Sequence, residues 1–440
     1  MEKGMVSVDR WSEESQAYFL THLHSDHTKG LSSKWRRGPL FCSTITATLF
    51  PPKFPDFDLS LIRALEVGTS RSLTLVSPSS GSKTAFDVTV IDADHCPGAV
   101  MFLFDGEFGR YLYTGDFRWE GTRERALVGR SVLVEALKGG TVDFLYMDNT
   151  YCNPSYSFPP REVVANQVVK IISAYPDHDV IIAINTLGKE DLLIHIAKAL
   201  NIKIWVWPER LQTMHLLGFH GIFTTNTSLT RVRAVPMYSF SINTLEELNK
   251  ISPTIGIMPS GLPWVVKSLD QNDNSVGSSL KVFQGQKKET ATDQDHVSRN
   301  QKYEDMSPYT KFHRYIYSVP YSDHSCFSEL QEFYKLVKPI NVRGIVSSSS
   351  CYIDPLCYLG NLGDSNELIE GRNMKFPKLK VDESGESPQG KSVCCNLSIG
   401  ARFRRKCSKK ISSLSVRSGR VTSTRRSKRG VSVAEIASGV

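Results

Sequence analysis

The feature that most limits what this chain can become is a six-residue run, His22-Leu-His24-Ser-Asp26-His27. Imidazole nitrogens and carboxylate oxygens are the donors that a borderline divalent cation prefers. In extended backbone His22 and His24 project to one side and can grip a single ion. Asp26 and His27 follow where the chain turns, within reach of a second ion. Four such donors in six positions are hard to obtain from a polar surface turn. Two weaker signals fit beside them. Asp94-His95-Cys-Pro-Gly98 sets a histidine at a strand end before a turn, and Thr114-Gly-Asp116 sets a carboxylate behind a short strand. Either alone would be ordinary turn chemistry. They gain meaning by sharing a chain with the first run.

The surrounding text supplies a framework. Phe86-Asp-Val-Thr-Val-Ile91 alternates as a half-buried strand does. Val100–Phe104 is a continuous apolar run of β character, and Tyr111–Tyr113 and Phe144–Met147 follow. All four runs end close to a loop that carries His, Asp or both. From about Ser157 the pattern changes. Val180–Ile184 reads as a buried strand, Leu192, Leu193, Ile196, Ala197 and Leu200 as one helical face, and Ile202–Val206 as strand again. That β-α-β order suggests a small α/β unit. Residues 268–308 are polar, with little apolar periodicity, and read as a flexible insertion. Order resumes at Tyr315–Val319, and a helix then carries Phe327, Leu330, Phe333, Tyr334 and Val337. At 440 residues, 40% of them hydrophobic, the chain has material for two domains and a sizeable core.

HxHxDH, a later His and a TGD-type Asp together resemble the signature of the metallo-β-lactamase superfamily. Met147-Asp148-Asn-Thr150 resembles the acidic motif that opens the β-CASP nuclease region, and Tyr321-Ser-Asp-His324-Ser resembles its later His motif. The chain is similar to the DNA cross-link repair nucleases from about Ser7 to Ser350, with five of its eleven histidines on motif positions. The resemblance implies an α/β fold in which residues 1–156 and 313–370 form a metallo-β-lactamase αββα sandwich. A β-CASP α/β domain is inserted over 157–312, and 371–440 form a disordered basic tail. It also implies roles. His22, His24 and His95 would hold one ion, Asp26 and His27 a second, and Asp116 both. Asp9 matches an acidic position that orients the metal loop from behind. Asp148 and His324 would sit over the scissile phosphate, His324 as proton donor to the leaving oxygen and Asp148 holding it in place. RNA-cleaving relatives carry a further His 22 residues beyond their equivalent of His324. Here that position is Val346, as is typical of the DNA-directed branch. The second site is then one ligand short, so a tight Zn²⁺ and a looser second ion (Zn²⁺, Mg²⁺ or Mn²⁺) are expected.

The implied activity is 5′→3′ exonuclease hydrolysis of DNA phosphodiesters, in cross-link and double-strand-break repair. Thr186-Leu-Gly188-Lys189 precedes a helix, where N–H groups, a glycine and a lysine can make an anion site. It is a candidate dock for a terminal 5′-phosphate; an ordinary helix cap with a solvated lysine is the other reading. Endonuclease action on DNA hairpins or overhangs stays open. Val346 speaks against an RNA-processing nuclease, and the Asp148 and His324 motifs speak against a small-molecule hydrolase. A full ligand set argues against a scaffold with a decayed site.

Charge adds a further constraint. Residues 401–430 hold twelve Lys or Arg and no acid, so the net +8 leaves −4 for the remainder. A basic tail on a mildly acidic body suits nuclear import or a sequence-independent DNA tether; Arg404-Arg-Lys406 and Arg425-Arg-Ser-Lys428-Arg429 carry it. Met1–Arg10 has no apolar segment, no run approaches the roughly 20 residues of a membrane span, and the nine cysteines form no CxxC pair. A soluble nuclear protein with free thiols is expected. Truncation after Gly400 should flatten the salt dependence of DNA binding and reduce nuclear retention, while hydrolysis at low salt persists. Binding isotherms across a salt series check this, and an unchanged slope with unchanged localisation would leave the tail a merely solvated segment.

Overall fold

The computed structural model describes residues 4–12, 14–77, 80–261, 310–346, 354–360 and 431–432. The stretch expected as a flexible insertion, 268–308, lies outside them, as does the tail from 371 apart from Val431–Ser432. One sheet has the order β18 (Val431–Ser432), β1 (Gly4–Val8), β2 (Ser15–Phe19), β3 (Leu40–Ser43), β4 (Ile62–Leu65). A second runs β17 (Pro339–Gly344), β9 (Val142–Met147), β8 (Gly109–Tyr113), β7 (Val100–Gly106), β6 (Lys83–Asp92), β5 (Ser70–Val76). Alternation in β6 buries Phe86, Val88 and Val90 on one face. They join Phe102, Phe104, Tyr111 and Tyr113 of the same sheet and Val8, Phe19 and Phe41 of the other. The Phe19 ring lies 4.9 Å from Phe41, 5.2 Å from Phe102 and 5.0 Å from Phe104. This aromatic layer is the inside of the sandwich.

Helices cover the outer faces. Leu49 and Phe50 of α1 (Thr44–Lys53), Leu133 and Leu137 of α2 (Glu124–Leu137), and Leu330 and Phe333 of α7 (Phe327–Val337) share a cluster with Leu103, Leu112 and Leu145. The result is the αββα metallo-β-lactamase arrangement.

Between β9 and α7 the chain builds a third sheet, ordered β12 (Phe223–Thr224), β11 (Ile204–Trp205), β13 (Val232–Pro236), β10 (Asp179–Ile184), β14 (Thr254–Pro259), β16 (Ile316–Val319), β15 (Thr310–His313). All its pairs are parallel except that of the edge strand β15. Val180, Ile182 and Ile184 pack against α3 (Arg161–Ser173), α4 (Glu190–Leu200) and α5 (Pro208–Leu216). Ile181 and Ala183 face α6 (Ile242–Asn249) through Leu245. Both faces are therefore buried, as parallel sheets require.

One boundary moves. The sandwich was expected to resume at 313, but β16 pairs with β14 from Ile316 to Val319, so the inserted sheet runs through Val319. The sandwich resumes with α7 and with β17, which pairs parallel to β9. The apolar run at Tyr315–Val319 identifies a strand, but nothing in its pattern names the sheet it joins. Among the described residues no helix is long and apolar enough to cross a membrane. Cys42, Cys96, Cys152, Cys326 and Cys357 are free thiols.

Phe333 is fully buried, with its ring 4.7 Å from Phe117 and 4.8 Å from Trp119, just downstream of Asp116. Phe333→Ala should cost about 3–5 kcal/mol of unfolding free energy. Urea denaturation measures it, and a loss under about 1 kcal/mol would mean that α7 does not anchor this layer.

Candidate active site

Six loops leave the sandwich at one edge: those after β1, β2, β6, β8, β9 and β17. They carry Asp9, the His22–His27 run, His95, Asp116, Asp148 and Val346 respectively. β1 and β2 are parallel to each other, and so are β8 and β9, so their C-terminal ends fall together. Residues far apart in sequence therefore meet in space.

His22 Nε2 lies 3.0 Å from His24 Nδ1, and His95 Nε2 lies 3.1 Å from the same atom. Each ring is set by a partner on its other nitrogen. His24 Nε2 donates to the Leu187 carbonyl at 3.0 Å, and His95 Nδ1 donates to the Asp323 carbonyl at 2.7 Å. His22 Nδ1 donates to Thr21 Oγ1 at 3.0 Å, and that hydroxyl donates onward to Asp9 Oδ2 at 2.7 Å. The three lone pairs that remain converge on one point. Burial lowers all three imidazoles, His24 to about 4, with neighbouring histidines adding to the effect on His22 and His95. They are neutral at physiological pH, the state that ligation of a cation requires.

Asp116 faces two ways. Its Oδ2 is 3.8 Å from both His22 Nε2 and His95 Nε2, while Oδ1 is 3.3 Å from His27 Nε2. His27 Nδ1 is 2.6 Å from Asp9 Oδ2. Burial opposes charge on His27, but Asp116 and Asp9 outweigh it and raise the group to about 10. His22, His27 and Asp116 form a second set of donors. A third set is His95, Asp116 and His324, so His324 also stands within reach of an ion. Cys96 joins the first set, but burial pushes its thiol well up, which disfavours the thiolate. Asp26 belongs to none of these sets; it lines the same cleft and its charge acts on His24 and Lys53.

The donor set fits divalent metal. It offers the neutral, tautomer-fixed nitrogens of His22, His24 and His95, a two-faced carboxylate and an outer ring of acceptors. Local backbone makes this possible. Asp9 adopts φ 51°, a left-handed conformation that Asp tolerates, which turns its carboxylate back to accept from Thr21 N at 2.9 Å. Gly115 has φ 56°, and a Cβ there would come within 2.8 Å of Thr21 Cβ, so only glycine lets the Asp116 loop pass.

Asp148 and His324 pair at 2.7 Å between Oδ2 and Nδ1. Thr150 holds the other carboxylate oxygen through its N at 3.0 Å and Oγ1 at 2.6 Å. Burial raises Asp148, yet the His324 charge and the Thr150 bonds win and keep its carboxyl below the usual range. Val346 is not among the cleft residues. It packs at the edge of the sandwich core, and Asn149 clasps its backbone at 2.8 Å and 3.2 Å.

Several groups at the expected phosphate cradle already have partners within the chain. Gly188 N donates to Glu190 Oε1 at 3.0 Å, and Lys189 Nζ to Asp323 Oδ2 at 2.6 Å. Arg210 donates to the carbonyls of Thr186 and Gly188. The helix start thus already has its own carboxylate in Glu190, and the sequence could not say which anion would fill it. Asp323, Thr21 and Leu187 escaped notice in the sequence. Asp323 stood inside a recognised motif, whereas a backbone carbonyl such as that of Leu187 leaves no side-chain signal.

The cleft holding these groups has a volume of about 460 Å³. Its far wall comes from the C-terminal ends of parallel strands of the inserted sheet: Asn185 and Thr186 after β10, Met237 and Tyr238 after β13, Ser260 and Gly261 after β14, and Tyr321–His324 after β16. Crevices at such strand ends are where open α/β sheets bind ligands.

Asp9→Asn should lower affinity at the His27–Asp116 set about 10–100-fold and weaken the three-histidine set by less, because there Asp9 acts on one ligand only, through Thr21. Titration with a chromophoric chelator, on protein shown folded by circular dichroism, reads both. Equal weakening at the two sets, or none, would remove Asp9 from the role of orienting His27.

Residues 219–350 match the family described as DNA repair metallo-beta-lactamase. The chain is 35% identical over 394 residues to "5′ exonuclease Apollo" of Gallus gallus, covering 88% of this chain and 72% of that protein. It is 37% identical over 354 residues to "5′ exonuclease Apollo" of Mus musculus, covering 79% of this chain and 54% of that one. With "DNA cross-link repair protein SNM1" of Arabidopsis thaliana it shares 30% identity over 349 residues, 76% of this chain and 61% of the relative. The chain therefore spans about half to three quarters of the length of these relatives.

Proposed function

Since the chain belongs to the DNA cross-link repair nuclease family, we propose that it is a metal-dependent 5′→3′ DNA exonuclease of DNA repair, acting in the nucleus on ends that carry a 5′-phosphate. One observation carries the reading: the metal donor sets and the Asp148–His324 pair open on a single cleft whose second wall is the inserted sheet. Divalent ions held there supply activation of water and neutralisation of phosphate oxygens. We assign His22, His24, His95 and Asp116 to a tight Zn²⁺. Asp26, His27 and Asp116 serve a second, looser ion, because Val346 offers no ligand and a cation must compete with the proton on His27.

The chain's own residues do the rest. Attack of water on the terminal phosphodiester breaks the bond from phosphorus to the 3′-oxygen. His324, about a quarter exposed in its side chain while Asp148 is buried, donates the proton that the departing oxygen needs. Asp148 fixes the His324 tautomer and stabilises its charged form, and Thr150 fixes Asp148. The 5′-terminal group lies among the polar residues at the ends of β10 and β14, Asn185, Thr186 and Ser260.

His324→Ala and Asp148→Asn should each lower kcat on DNA by about 10²–10⁴ and leave the tightly held ion of the three-histidine set in place. End-labelled single- and double-stranded DNA with 5′-phosphate or 5′-hydroxyl should show mononucleotides released from the phosphorylated end. Internal cuts, cleavage from the 3′ end or indifference to the 5′-phosphate would reverse the polarity assignment. Wild-type rates in the two variants would remove His324 and Asp148 from the chemistry.

A further inference from the structure

Tyr238 stands on the rim of the cleft with 87% of its surface exposed, the highest value among the exposed large hydrophobic side chains of the described residues. The turn that carries it is anchored on both sides. β13 ends at Pro236, Met237 packs partly against the core cluster of α6, and Phe240 is buried in that cluster. A backbone bond from Phe240 N to the Met237 carbonyl, 3.2 Å, closes the turn. The ring is thus held outward by a rigid base. Its neighbours along the cleft wall are Asn185, Thr186, Ser260 and Gly261, and across the cleft lie His24, Asp26 and His95.

An aromatic ring displayed at the mouth of a polar, phosphate-cleaving cleft has one evident partner in a nucleic-acid substrate. The phosphates of a terminal strand must enter toward the metal donors, so the attached bases project away from them, toward the rim. A nucleobase offers a π-face whatever its identity, and stacking on a side-chain ring tolerates any sequence. The ring's weak hydration and the small entropy of its two torsions make it a low-cost platform.

We propose that Tyr238 is a base-stacking platform that seats an unpaired nucleobase next to the scissile phosphate and so governs the productive binding of single-stranded DNA ends. The inference rests on the nuclease reading above and assigns a binding residue to it. Stacking supplies affinity in ground and transition states alike, so it acts on KM more than on kcat.

The test compares wild type, Tyr238→Ala, Tyr238→Phe and Tyr238→Trp on a 5′-phosphorylated single strand, and on strands bearing one abasic nucleotide at each of the first three positions. In Tyr238→Ala the KM should rise about 5- to 100-fold, the range expected for loss of one base stack, with kcat within about twofold. Phe and Trp should restore it. At one position the abasic substrate should raise KM for wild type and cancel the penalty of the alanine variant. An alanine variant with wild-type KM overturns the proposal, as does a Phe variant as weak as Ala, or an abasic penalty that adds to the mutational one at every position. A wild-type protein that cuts no DNA would instead overturn the nuclease reading itself.

Discussion

One buried carboxylate organises the site. Asp9, 3% exposed, accepts three hydrogen bonds: from Thr21 N, from Thr21 Oγ1 and from His27 Nδ1. A charge so placed is tolerated only because its oxygens are satisfied by short, charge-assisted or polar donors. Through Thr21 it sets the ring of His22, and directly it sets the ring of His27, so a single residue orients ligands in both donor sets. Gly115 completes the arrangement by letting the Asp116 loop lie against Thr21 without a side chain between them. The strand pairing of β1 with β2 is what delivers Asp9 and Thr21 to the same edge in fixed register.

The inserted domain is part of this centre rather than an addition to it. His24 and His95 are oriented by the carbonyls of Leu187 and Asp323, one after β10 and the other after β16 of the inserted sheet. Further ties cross the same seam. Arg161, at the start of α3, bonds Glu120 and the Asp94 carbonyl, and Arg118 bonds the Ser322 carbonyl. Asp94 and Arg161 are both almost fully buried, so breaking such a pair would strand a charge in a low dielectric. Two members of the three-histidine set, His24 and His95, therefore get their tautomers only when both parts of the chain are folded together, which couples metal affinity to the integrity of the whole cleft.

Sequence made some of this legible and hid the rest for physical reasons. The ligands His22, His24 and His27 are packed into one short run, and His95, Asp116 and Asp148 each follow an apolar strand, so local pattern points to them. The α/β insertion follows from its own β-α-β run, whereas the αββα sandwich was implied by the family resemblance. Contacts that depend on backbone atoms were invisible, because Leu187 and Asp323 act through carbonyls that any residue would supply. Lys189 was only partly legible for a related reason: its charge suggested an anion from outside, and the partner supplied by Asp323, 134 positions away, has no local signal. The end of the inserted sheet at Val319 was equally hidden, since a strand's hydrophobic pattern carries no information about its neighbour.

The distribution of charge has a consequence for how such a protein can handle a polyanion. With the basic segment 401–430 set aside, the chain sums to −4, so its body as a whole does not attract DNA. Attraction must then be local, concentrated where divalent cations are held and where low-dielectric walls focus their field on the cleft. Inside the cleft the protein adds little positive charge of its own. Lys189 is neutralised by Asp323, and the histidines of the first set are uncharged. A phosphodiester is thus drawn to one point rather than along a broad groove.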